Sequence, residues 1–207
     1  NQFFRGLSKD FNGTGPGAQK YITPIGSEAF GTATPVEDID KLRGYLAAST
    51  TLDDTGEVRT ATRNSYEIEA IDADATGALK ETKVVRPTVT TTIERDPTVT
   101  PVWTRRTSTE TQYLHGTELP AQVTTTVSSG NETITTCTAT EYALGIRGTN
   151  DAIVDYFSAA AWNGTTYVVA PSQVTSYWGT CGGSSPVTSK TDTYYDGATD
   201  AGDNHPR

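Results

Sequence analysis

Methionine is absent from this chain, and histidine and cysteine occur only twice each. Long apolar runs are missing as well: no stretch approaches the roughly 20 residues that a bilayer-crossing helix needs, and the mean hydropathy is -0.47. A transmembrane helix is excluded on that ground. Basic residues are the minority, with Lys+Arg 16 against Asp+Glu 25, so the formal charge is -9. Such a balance repels phosphate backbones and argues against nucleic acid as a partner.

The shortage of histidine narrows the available chemistry. A nucleophilic triad would have to use His115 or His205. His115 sits in Tyr113-Leu114-His115-Gly116, a strand end by its pattern, and His205 is close to the end of the chain. No G-x-S-x-G elbow accompanies either. Cys137 and Cys181 are too far apart for a Cys-x-x-Cys redox or zinc pair, which leaves a disulfide in a secreted protein or two unrelated buried thiols.

What the chain has in excess is threonine, 39 of 207 residues. Thr is β-branched, stiff at its first side-chain torsion and suited to the half-solvated face of a strand. Ten Tyr, five Phe and three Trp, interleaved with alternating Val and Ile, are too many for a disordered chain. From Thr50 onward the apolar period is 2. VRTATRNSYEIEAI, KVVRPTVTTTIE, TPVWTRRTSTETQYL, AQVTTTV and ETITTCTATEY all alternate, with a hairpin turn at SSGNE between the last two. TYVVAPSQVTSYW predicts two strands broken at Ala170-Pro171, and SKTDTYYDG a final one.

The first 49 residues form a different segment: a strand, a loop at FNGTGPG, a second strand and one helix. Pro35-Val36-Glu37-Asp38 supplies the helix start, and Ile39, Leu42, Tyr45 and Leu46 recur at helical spacing, which predicts about three turns near residues 36–48. Residues 50–207 form the β-hairpin segment, continuous with the first. The fold expected is mainly β, about ten strands and one short helix.

An internal echo sharpens the pattern. Asp53-Asp54-Thr55-Gly56-Glu57-Val58-Arg59 and Asp74-Ala75-Thr76-Gly77-Ala78-Leu79-Lys80 share the frame D-x-T-G-x-(apolar)-(basic). Each D-x-T-G predicts a turn whose glycine takes positive φ, leading into a strand. Tyr194-Tyr195-Asp196-Gly197 is a weaker third signal. Units of about twenty residues marked by Tyr-Asp and Asp-x-x-Gly resemble the RHS/YD-repeat family. The succession Cys137-Thr138-Ala139-Thr140-Glu141-Tyr142, Pro171-Ser172-Gln173-Val174, Cys181 and Thr191–Thr199 resembles its actinobacterial members in order and rough spacing. Phe3-Phe4-Arg5-Gly6-Leu7 resembles the segment that precedes those repeats. The full repeat consensus, Gly-x5-Tyr-x-Tyr-Asp, is never complete. The resemblance implies a piece of a large secreted protein whose strand-turn-strand repeats form a curved or spiral β-sheet shell around a C-terminal cargo, often a toxin. The partners it implies are the remainder of the parent polypeptide or an enclosed cargo domain, or a further copy in a homo-oligomer. Both chain ends fit an excised piece of something longer.

Other constellations have plainer readings beside the functional one. Asp72-Ala73-Asp74-Ala75-Thr76-Gly77 matches the first six positions of a calcium-binding EF-hand loop, but position twelve is Lys83 where a bidentate Glu belongs. A solvated turn accounts for it, and neither calcium nor zinc nor any other cofactor is expected. Glu67, Glu69, Asp72 and Asp74 could supply the paired carboxylates of a secreted hydrolase, or simply face solvent while Ile68 and Ile71 face a core. Trp162, Tyr167, Tyr177 and Trp178 could stack on sugars in a β-sandwich binding module or adhesin, or fill a β-core. Asn12, Asn131 and Asn163 begin glycosylation acceptors that a Thr-rich chain produces by composition. The leading expectation is a non-catalytic structural segment, secreted or at the cell surface.

Overall fold

The computed structural model describes residues 1–6, 21–30, 35–73, 79–96, 103–114, 118–147 and 166–194. Eleven strands carry the described chain: β1 Gln2–Phe3, β2 Tyr21–Ile22, β3 Val36–Glu37, β4 Leu46–Leu52, β5 Val58–Ala73, β6 Leu79–Asp96, β7 Trp103–Tyr113, β8 Pro120–Ser129, β9 Glu132–Arg147, β10 Thr166–Trp178 and β11 Val187–Asp192. Nine form one sheet in the order β1-β4-β5-β6-β7-β8-β9-β10-β11, and β2 pairs with β3 in a separate ribbon. From β4 onward each strand lies beside its predecessor in sequence. Every pairing whose register is defined is antiparallel. The period-2 segments therefore become strands as their alternation requires, one face of side chains to each side of the sheet.

Two compact units divide the chain. The first comprises Asn1–Ile68, Val85–Glu110 and Thr125–Ile134, and the second Glu69–Val84, Thr111–Thr124 and Thr135–Arg207. Within the first, Phe4, Ile22, Leu42 and Ala47 are buried together, with Val36, Ile39, Tyr66, Ile68 and Val85 packed against them. The Tyr66 ring meets Phe4 and Tyr45 edge-on, at centroid distances of 6.0 and 5.3 Å. Its hydroxyl donates to the Leu46 carbonyl at 2.8 Å, and burial pushes its pKa up. A tyrosine placed so brings apolar area to the core and leaves no orphan hydroxyl there.

The helix expected near residues 36–48 is not formed. That span instead holds strand β3, a single 3-10 turn at Asp40–Leu42 and the start of β4. The apolar residues that suggested a helix do reach the core in the case of Ile39 and Leu42, but through i→i−3 bonds, Leu42 N–H to Ile39 and Tyr45 N–H to Leu42. Gly44 explains the stop: its φ of 84° lies in the left-handed region, and its N–H turns away to the Phe4 carbonyl. Asp38, read as a first-turn acid, is spent on another segment, as described below.

Ala170-Pro171 does not divide the segment into two strands. The chain runs through it as one strand, β10, and absorbs the proline in a register shift between Pro171 and Gln173 against β9. A bulge is one of the few places a sheet tolerates a residue lacking an N–H. The SSGNE turn lies where expected, between β8 and β9.

Candidate functional site

The first D-x-T-G frame builds a closed turn between β4 and β5. Asp53 Oδ1 accepts from the Thr55 N–H at 2.9 Å, the Thr55 hydroxyl at 2.6 Å and the Glu57 N–H at 2.9 Å. The backbone closes over it, with Gly56 N–H donating to the Asp53 carbonyl and Asp53 N–H to that of Glu57. Gly56 takes φ 87°, which the frame requires of its glycine. Arg59, the basic residue of the frame, sits 3.6 Å from Asp53 Oδ2 and 2.9 Å from Asp96 Oδ1. The Thr55 hydroxyl above all, then the Glu57 and Thr55 N–H groups and the Arg59 charge, hold the Asp53 pKa below the ordinary aspartate value against some opposing desolvation. A depressed folded-state pKa stabilises the fold above the unfolded value of about 4, and that stabilisation is lost as pH falls through the folded pKa. Carbon-detected NMR titration is expected to place the Asp53 carboxyl below the ordinary aspartate value, and Thr55→Val to move it back up. An unshifted Asp53 in the wild type refutes this account. Asp74, Thr76 and Gly77 of the second frame, and Tyr195 and Asp196, lie outside the described residues.

A second constellation lies at the β9–β10–β11 end of the sheet order. Cys137 of β9 and Cys181, just past β10, are joined in a disulfide with their Cα atoms 5.2 Å apart. Cys137 is buried, and its Sγ accepts from the Thr124 hydroxyl of β8 at 3.1 Å. Around the bridge, the Gly179 N–H donates to the Thr135 carbonyl and the Trp178 N–H to Pro186, so the Cys-Gly-Gly-Ser-Ser loop is tied down by backbone and sulfur together. Further along β9, Tyr142 donates its hydroxyl to the Pro120 carbonyl, and burial raises its pKa.

Of the aromatic residues expected as a stacking surface, two are described, Tyr177 and Trp178. Tyr177 and Trp178 are consecutive in β10, so they point to opposite faces of the sheet. Trp178 is 55% exposed, and Tyr177 is half-buried in register with Cys137. Trp162 and the Tyr167 side chain lie outside the described residues. Of the acidic run, Glu67 is engaged by the buried Arg86 at 3.4 Å. The Glu69, Asp72 and Lys83 side chains, and all of Asp74, His115 and His205, lie outside the description. Of the acceptor asparagines, Asn131 is exposed in the β8–β9 turn, and Asn12 and Asn163 are not described. Among the described residues no three His, Cys, Asp or Glu side chains gather as a metal site, and no helix is long and apolar enough to cross a membrane.

Two arrangements escaped the sequence. Asp38 is fully buried, and its carboxylate gathers the N–H groups of Arg5 and Gly6 at 2.7 and 2.9 Å and the Arg5 guanidinium at 3.3 Å. Hydroxyls also join neighbouring strands: Thr62 to Thr92, Thr91 to Ser108, Thr109 to Thr125 and Ser128 to Thr133. The surplus of threonine was the available signal for the second; the first had none. No family model, curated protein or solved structure matches the chain.

Proposed function

We propose that this chain is a non-catalytic structural segment of an RHS/YD-repeat shell, secreted or displayed at the cell surface, which encloses or scaffolds a cargo such as a toxin. The observation that carries the reading is connectivity. From β4 to β11 the sheet order follows the chain, each strand pairing with the one before it. Strand-turn-strand repeats generate that order when stacked, each unit burying its edge against its neighbours. The Asp53–Arg59 frame supports the same reading, because its chemistry goes into closing a turn and leaves no group aimed at a substrate. The Cys137–Cys181 bridge fits an oxidising, extracytoplasmic setting. The partners in this reading are the rest of a parent polypeptide or an enclosed cargo domain.

A β-sandwich binding module needs two sheets packed face to face, whereas the nine strands here form one hydrogen-bonded series and the Tyr177–Trp178 pair is split between faces. A hydrolase built on the acidic run would start with Glu67 already paired to Arg86. Sequencing the coding region on both sides of the chain tests the shell reading. Further units with the complete Gly-x5-Tyr-x-Tyr-Asp consensus are expected there; flanks without any such unit overturn it.

A further inference from the structure

β11 ends the nine-strand order, and all six of its residues are exposed. One side of the strand is paired. Thr193 N–H donates to the Ser172 carbonyl at 2.8 Å, and the register continues with Asp192 opposite Gln173, Thr191 opposite Val174 and Lys190 opposite Thr175. Backbone groups in an antiparallel ladder alternate in direction. With Thr193 and Thr191 turned toward β10, the N–H and C=O of Lys190 and Asp192 face the edge that no described strand pairs. The same two residues carry the strand's only charges, on one face and near each other, with Lys190 Nζ 3.8 Å from Asp192 Oδ1. The Gln173 amide also donates to Asp192 Oδ1, at 2.8 Å.

We propose that this edge pairs with β11 of a second copy of the chain, antiparallel, about a two-fold axis through Thr191. Charge selects both the occupant and the register. With the axis at Lys190 or at Asp192, identical charges face each other across the ladder, which destabilises pairing. At Ser189, Asp192 comes opposite Pro186, which has no N–H to exchange. At Thr191, each Lys190 faces the other copy's Asp192, and these are the residues whose backbone groups point outward. Both exchange N–H and C=O, and two ion pairs sit above the four hydrogen bonds. The interface is isologous and closes as a dimer. One strand is a small contact, so the dimer depends on concentration. The proposal does not rest on the shell reading and competes with it for this edge, since a following repeat seated on β11 excludes a second copy there.

Sedimentation velocity over a concentration series tests it on the full chain. Wild type is expected to dimerise. Lys190→Asp and Asp192→Lys each put like charges across the axis and are expected to weaken self-association about tenfold or more. An equimolar mixture of the two variants is expected to recover association as a heterodimer, because one copy then carries two carboxylates at these positions and the other two ammonium groups, so both facing pairs are again of opposite charge. The double variant, with the pair reversed in both copies, is expected to dimerise like wild type. Thr191→Cys, at the axis where opposed Cα atoms approach to about 4.5 Å, is expected to yield a covalent dimer under oxidising conditions, and Thr188→Cys is not. A wild type that stays monomeric throughout overturns the proposal. So does association that ignores the charge reversals or is not recovered by mixing.

Discussion

Replacing Cys137 and Cys181 together with alanine is expected to lower unfolding free energy by about 4 kcal/mol. The bridge spans 44 positions in sequence, and closing a loop of that size removes a large share of the conformations open to the unfolded chain. The chain-entropy relation gives the figure directly, while the native-state contribution adds the buried packing of Cys137 and the Thr124 hydroxyl bonded to its sulfur. Three strands feel the loss, because the bridge fastens the loop after β10 to β9, and β11 follows from that loop. Urea unfolding of the double variant beside wild type checks the size of the effect, with hydrogen exchange to locate it in β9–β11. A loss under about 1 kcal/mol, or protection in β11 unchanged, contradicts this expectation.

Asp38→Ala is expected to cost about 3 kcal/mol. The side chain is wholly buried, and it answers three donors, two of them backbone N–H groups directly behind the core residue Phe4. Truncation leaves the Gly6 N–H, itself buried, without its acceptor. It also releases β1, whose two residues hold the edge of β4 through only the pairs Gln2–Ala48 and Phe3–Leu46. Asp38→Asn keeps one carbonyl oxygen for the two N–H groups and is expected to lose about half as much. Denaturant midpoints for the two variants test the ordering; equal losses would mean that volume and not hydrogen bonding decides the effect.

The strands were legible because alternation is a local property: VRTATRNSYEIEAI can segregate its faces only as a strand, and β5 is that strand. The Asp53 turn was legible for the same reason, every partner lying within six residues. A local pattern is ambiguous where it has two physical solutions. Ile39 and Leu42 point inward equally well from a helix or from a 3-10 turn before a strand, and the contest was decided by Gly44 and by what Asp38 was needed for elsewhere. Pro171 ends a strand in isolation but is accommodated when β9 lies alongside to take up the shift. Nothing local says that β1 joins the sheet beyond β4, since that pairing spans more than forty residues. The cysteine pairing is simple arithmetic, with one possible bridge for two thiols, whereas the opposite facing of Tyr177 and Trp178 follows only once β10 is known to run through both.

The hydroxyl rungs between strands bear on how the protein responds to temperature. Among the described residues nine are buried and apolar, four of them alanine, while Thr62, Thr92, Thr91, Thr109 and Thr125 join strands through oxygen. Unfolding raises heat capacity when apolar surface meets water and lowers it when polar surface does. Unfolding such a sheet exposes polar groups beside apolar ones, so its heat-capacity increment is expected to be small for its length. A small increment makes the stability curve flat, with the gentle curvature on both sides of its maximum that calorimetry is expected to show.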